Sequence, residues 1–123
     1  MELYKEILQL DSENIDAINS QAQCLKVTAN GNPQVIAQVF ALYTRAIKID
    51  PEDFETNFNL GVLYFEQKRD LDKAIHHLKL AISEEDNATA QFNLAIIYDE
   101  KGMSQEAMKA YQEVRIITVF LIV

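Results

Sequence analysis

The sequence predicts an all-α fold, a helical repeat solenoid of about seven helices packed as successive antiparallel pairs. Two observations carry this reading. Phe58-Asn59-Leu60-Gly61-Val62-Leu63-Tyr64 aligns with Phe92-Asn93-Leu94-Ala95-Ile96-Ile97-Tyr98 at a spacing of 34 residues, the mark of an internal repeat. Of the 123 residues 49% are apolar, ample for a buried core, and with three Gly and two Pro long helices are permitted almost everywhere. β-Branched residues are scattered, except at the C-terminus.

The second halves of the repeat align as well. Ala74, Leu78 and Ala81 match Ala107, Tyr111 and Val114 at a spacing of 33, so a one-residue difference falls in the turn around Lys68 to Asp72. Two earlier copies are more divergent. Ile18, Ala22 and Leu25 take the places of Asn57, Gly61 and Tyr64, and Val39, Tyr43 and Ala46 those of Ala74, Leu78 and Ala81. Tyr4, Ile7 and Leu10 look like the second half of a repeat whose first half is absent. The chain therefore divides into a partial repeat over 1–12, repeats over about 13–51, 52–87 and 88–117, and an apolar tail over 118–123. Residues 1–117 form a single array on this reading.

Periodicity places helices near 2–10, 14–28, 33–49, 53–68, 71–84, 88–101 and 104–117. Asn32-Pro33 and Asp50-Pro51 supply a capping side chain followed by a proline suited to a first turn. Gly102 supplies a stop, because it accepts the left-handed conformation beyond a helix end. Ala29 to Pro33 reads as a loop on composition. Small residues at Ala22, Gly61 and Ala95 on the first helix of each pair should face Ala46 and Ala81 on the second, letting the axes approach closely. Tyr43, Tyr64, Tyr98 and Tyr111 then read as core.

The spacing Leu60-Gly61-x2-Tyr64, Ala74-x3-Leu78-x2-Ala81, with Ala46-x4-Pro51 before it, resembles the tetratricopeptide repeat. Leu94-Ala95-x2-Tyr98, Gly102 and Ala107-x3-Tyr111 form a second copy, and the resemblance covers nearly the whole chain. It departs from the family where Asn57 and Gln91 replace a frequent Trp, where Lys68 replaces a frequent Gly, and in lacking the usual polar capping helix. The half repeat at the start and the missing cap leave open whether the chain is a piece of a longer repeat protein.

The resemblance implies a right-handed superhelical trend and a concave groove that holds a peptide segment. The positions of this chain that match groove positions are Asn19 and Gln23, then Phe58, Asn59, Val62 and Phe65, then Phe92, Asn93 and Ile96. Asp16, Glu55 and Asp99 add acidic groups beside them. The family's subtype that holds acidic C-termini uses basic residues there, and this chain has none except Lys26 nearby, so the subtype is not expected. Asn59 and Asn93 are expected to offer amides to a bound backbone.

Net charge is −8, which repels phosphate backbones and anionic surfaces, so neither nucleic acid nor membrane is an expected partner. Other proteins are, through segments with apolar anchors and basic residues. No cofactor or metal is expected. The only histidine pair, His76-His77, occupies adjacent helix positions about 100° apart and reads as a surface pair. Cys24 reads as a small apolar contact. No phosphate loop, HExxH or nucleophile–base set accompanies the carboxylates Glu66, Asp99 and Glu100, so an enzyme is not expected. The N-terminus has no apolar signal segment and a cytoplasmic location fits.

Two functions remain open on sequence. One is an adaptor that binds a peptide in its groove. The other is a structural subunit joined to other chains through its terminal stacking faces and tail. Ile116, Ile117, Val119, Phe120, Leu121 and Ile122 are the candidate contacts for that second role, with a homodimer through this C-terminal face as one form of it. The tail could instead cap its own array or run into a following repeat.

Overall fold

The computed structural model describes residues 14–84 and 88–122, apart from the side chains of 83–84 and 118–122. The predicted helix 2–10 and the partial repeat 1–12 lie outside the described residues. Every regular element described is helical. Contacts group the chain into two compact units divided between Thr56 and Asn57.

In the first unit α1 spans Ile15–Thr28 and α2 spans Pro33–Ile49. Both begin where a capping asparagine stands. Asn14 Oδ1 accepts the Ala17 N–H at 3.0 Å, and Asn32 Oδ1 accepts the N–H groups of Gln34 and Val35 at 2.9 and 3.4 Å. Between the helices the chain reverses through two left-handed residues, Asn30 (φ 50°) and Gly31 (φ 79°), residue types that tolerate that region. α1 packs on α2, and Ile18, Ala22, Val39, Tyr43 and Ala46 are buried, so the small residues named by the sequence do lie inside. Burial, and behind it the Glu55 carboxylate, raises the Tyr43 phenol well above its ordinary range.

A polar knot closes this unit. Asp53 caps α3 (Phe54–Leu63), its carboxylate accepting the Thr56 N–H at 3.0 Å and the Thr56 hydroxyl at 2.6 Å. Asn19 Nδ2 donates to the same hydroxyl oxygen at 2.9 Å. Both Asn19 and Thr56 are fully buried. Thr56→Val keeps the shape but strands the Asn19 amide, so it should cost about 1–2 kcal/mol, read as a lower midpoint in urea unfolding with unchanged slope. A wild-type midpoint would show that the bond contributes nothing.

In the second unit α3 runs to Leu63 and passes into one π-helical turn, Tyr64–Lys68. Then follow α4 (Leu71–Glu84), α5 (Ala88–Glu100) and α6 (Ser104–Ile122). The π turn is where the one-residue difference between repeats resides. The Arg69 N–H reaches back to the Tyr64 carbonyl, as does the Asp70 N–H at 3.2 Å, and Arg69 is left-handed at φ 51°. In the last hairpin the Met103 N–H makes the matching bond to Tyr98 at 2.8 Å, with Gly102 left-handed at φ 81°. An added residue widens one turn and leaves the stop intact.

α4 packs on α5, and α5 on α6. Ala74, Leu78, Ala90, Leu94, Ala95, Ile97, Tyr98, Ala107 and Ala110 form their common core. Two expectations need correction. Tyr111 is 39% exposed, not core; the matching Leu78 is covered within the α4–α5 core, and among the described residues no helix plays that part against Tyr111. α6 also runs on to Ile122, past the expected end at 117.

Candidate functional site

The sequence-predicted groove residues of the first unit separate. Asn19 is 1% exposed and its amide bonds Thr56 in the core, so it does not line an open groove. Gln23, one turn further along α1, is exposed. Beside them the carboxyl of Glu55 is raised, first by desolvation and then by Asp53 and Asp16, so these three acids share one neighbourhood.

In the second unit the seven candidates fall on α3 with its π turn and on α5. Phe58, Val62 and Phe65 are half-buried and packed against the core cluster. Phe65 is further covered by Arg69, whose guanidinium carbon lies 4.6 Å from the ring centroid and whose amino group pairs with Glu100. A second pair joins Lys101 to Asp72. Asn59 is 7% exposed, and its neighbour in the repeat, Asn93, is half-buried, as is Ile96. Phe92 is 47% exposed and meets Tyr111 edge to face at 6.0 Å and 67°. Of the predicted groove residues in the second unit only Phe92 is exposed, with Asn93 and Ile96 half-buried on the same helix and Tyr111 added by the structure.

Of the C-terminal candidates Ile116 is 49% exposed and Ile117 half-buried; the side chains of Val119, Phe120, Leu121 and Ile122 lie outside the described residues. Met108, which the sequence did not single out, is 62% exposed.

The histidine pair also differs from expectation. His76 is exposed, but His77 is half-buried, stacked on Tyr64 at 5.7 Å and 7°, with its Nδ1–H donating to Asn57 Oδ1 at 3.0 Å. Burial lowers its pKa to about 4, helped by His76 and Lys73. Asn57 occupies the place of a large aromatic in the repeat pattern, and His77 supplies the missing ring from the facing helix.

Two sequence models described as tetratricopeptide repeat match residues 42–76 and 89–115, together about half of the chain. The chain belongs to the tetratricopeptide repeat family. The family is one of protein-interaction scaffolds. No curated protein matches it significantly by sequence. Solved tetratricopeptide-like structures agree with its fold. A crystal structure of MamA is 21% identical at a TM-score of 0.76, covering 90% of this chain and 62% of the other. The double mutant titled MamA RS-1 ArsTM is 14% identical at 0.80, covering 98% and 65%. A structure titled CopN-Scc3 complex is 15% identical at 0.70, covering 90% and 62%. The chain thus spans less than two thirds of the length of these structures. No tetratricopeptide helix among the described residues is long and apolar enough to cross a membrane.

Proposed function

We propose that the chain is a non-catalytic adaptor, cytoplasmic in location, that holds a peptide segment of a partner on the groove side of α5. The observation that supports this most directly is the exposed Phe92, with Tyr111 edge-on to it and half-buried Asn93 and Ile96 on the same helix. A half-exposed aromatic pair is a costly surface unless something covers it, and aromatic anchors dominate binding energy at interfaces. Asn93 is placed to bond a backbone while the rings take an apolar anchor. Asp99 and the chain's net charge of −8 favour basic residues in the bound segment. Among the two asparagines, Asn93 carries this role in the proposal, since Asn59 is largely enclosed.

The double variant Phe92→Ala, Asn93→Ala should keep its helical content and lose at least about tenfold in affinity for the partner recovered from the native source. Equal affinity would remove the groove from consideration. A second reading, a subunit joined through the α6 face, is favoured by Met108 and Ile116 at 62% and 49% exposure. Light scattering across a concentration series separates the two, because a chain monomeric at high concentration excludes self-association through α6.

A further inference from the structure

The two hairpins of the second unit share one scaffold with one ring exchanged. In the first, the His77 ring lies on Tyr64 and donates to Asn57 Oδ1, while the Lys73 ammonium stands 5.3 Å from the same tyrosine's centroid. The repeat spacings of 34 and 33 carry Asn57, Leu60 and Tyr64 to Gln91, Leu94 and Tyr98, and His77 to Ala110. An amide, a leucine and a tyrosine persist; the imidazole does not. Where that ring would lie, the last hairpin has an open cleft of about 320 Å³ floored by Gln91, Leu94, Tyr98 and Ala110. Its shape follows from the substitution, since alanine leaves a ring's worth of space beside an amide acceptor and an aromatic face.

The first hairpin therefore shows what fits: a flat group with an N–H donor. The charges around the cleft select among such groups. Lys73 is replaced by Glu106 and Leu80 by Glu113, both lining the cleft, while Lys109 takes the place of His76. Among the residues lining the cleft, two carboxylates stand against one ammonium, which favours a cation over a neutral ring. Tyr98 already attracts one, the Lys79 ammonium lying 5.9 Å from its centroid. Arginine combines a permanent charge, a planar surface that stacks on aromatic rings and several donors in one plane.

We propose that the cleft between α5 and α6 is a socket for one arginine side chain of a partner polypeptide, stacked on Tyr98, donating to Gln91 Oε1 and balanced by Glu106 and Glu113. At about 100° per residue the socket residues Gln91, Leu94 and Tyr98 lie on the opposite side of α5 from Phe92, Asn93 and Ile96. The proposal rests on the scaffold reading in that the arginine belongs to a protein, but it does not require the groove.

The test is an NMR titration of the ¹⁵N-labelled full chain with N-acetyl-L-arginine methylamide, with the lysine and histidine analogues as controls. The arginine probe should shift the Gln91 side-chain amide and the Tyr98 and Ala110 signals saturably in the millimolar range, with the lysine analogue weaker by about fivefold or more. Ala110→His, which refills the socket from within, should abolish these shifts while melting no lower than wild type. Gln91→Leu should weaken them severalfold, and it carries the test if the histidine variant fails to fold. Phe92→Ala, Asn93→Ala should leave them unchanged, which separates this socket from the groove. Absence of saturable shifts, equal response to lysine, or full response in Ala110→His would each overturn the proposal.

Discussion

Gly61→Leu should lower stability by about 3 kcal/mol or more, a fall in melting temperature of about 10 °C or more for a chain of this size. The cause is already present at the first carbon. A Cβ at Gly61 would lie 2.9 Å from Leu78 Cγ and 3.2 Å from the Ala74 backbone oxygen. Leu78 can turn aside, but the Ala74 carbonyl moves only if α4 moves. Gly61→Ala should therefore already cost about 1–2 kcal/mol, although alanine is the better helix former. The matching position in the next hairpin, Ala95, holds an alanine fully buried, so the demand for glycine belongs to this one contact. Thermal unfolding of both variants checks the order. A leucine variant that melts with the wild type would mean that α3 and α4 do not meet at Gly61.

The second large effect is a loss of stability in mild acid. His77 titrates near 6.5 when unfolded and about 4 when folded. Above pH 6.5 both states carry a neutral ring and the full stability is present. As pH falls from about 6.5 towards 4 the unfolded state takes up a proton that the folded state refuses, and stability drops; below about 4 the contribution is gone. The full shift corresponds to roughly 3 kcal/mol, and discounting for partial exposure leaves about 2. His77→Gln retains a donor for Asn57 Oδ1 but does not titrate. Urea unfolding of wild type and variant at pH 7.5 and pH 5 should show the wild type losing more between the two. Parallel losses would place the acid sensitivity on the carboxylates instead.

Much of this architecture was legible because local signals and the repeat agreed. Asn32-Pro33 marked the start of α2 to the residue, since a capping side chain and a fixed φ both act on their immediate neighbours. The alignment of Leu60-Gly61 with Leu94-Ala95 marked Gly61 as a close approach, although what it meets is Leu78 and the Ala74 backbone and not the small Ala81. The misreadings have a common origin in partners distant along the chain. Asn19 was assigned to a groove by its position, and its commitment to Thr56, 37 residues on, has no local signature. The pair His76-His77 reads as surface from its adjacent helix positions, yet His77 bonds Asn57 and stacks on Tyr64, partners on another helix with no local signature. Tyr111 fits the core pattern, but a pattern cannot say whether a further helix arrives to cover it. The cleft at Ala110 is a matter of a missing ring, which shows only when one hairpin is laid on the other.

The widened turn at Tyr64–Lys68 bears on how such a chain can be cut and joined. The surplus residue is absorbed before Arg69, and the next helix still delivers Ala74 and Leu78 to full burial, as the shorter hairpin delivers Ala107. Length and register are thereby uncoupled at this one place. Hairpins differing by a residue can be exchanged across the Lys68–Asp70 segment without retuning the small-residue contacts on either side, which makes it the natural seam for a chimera or for a grafted reporter.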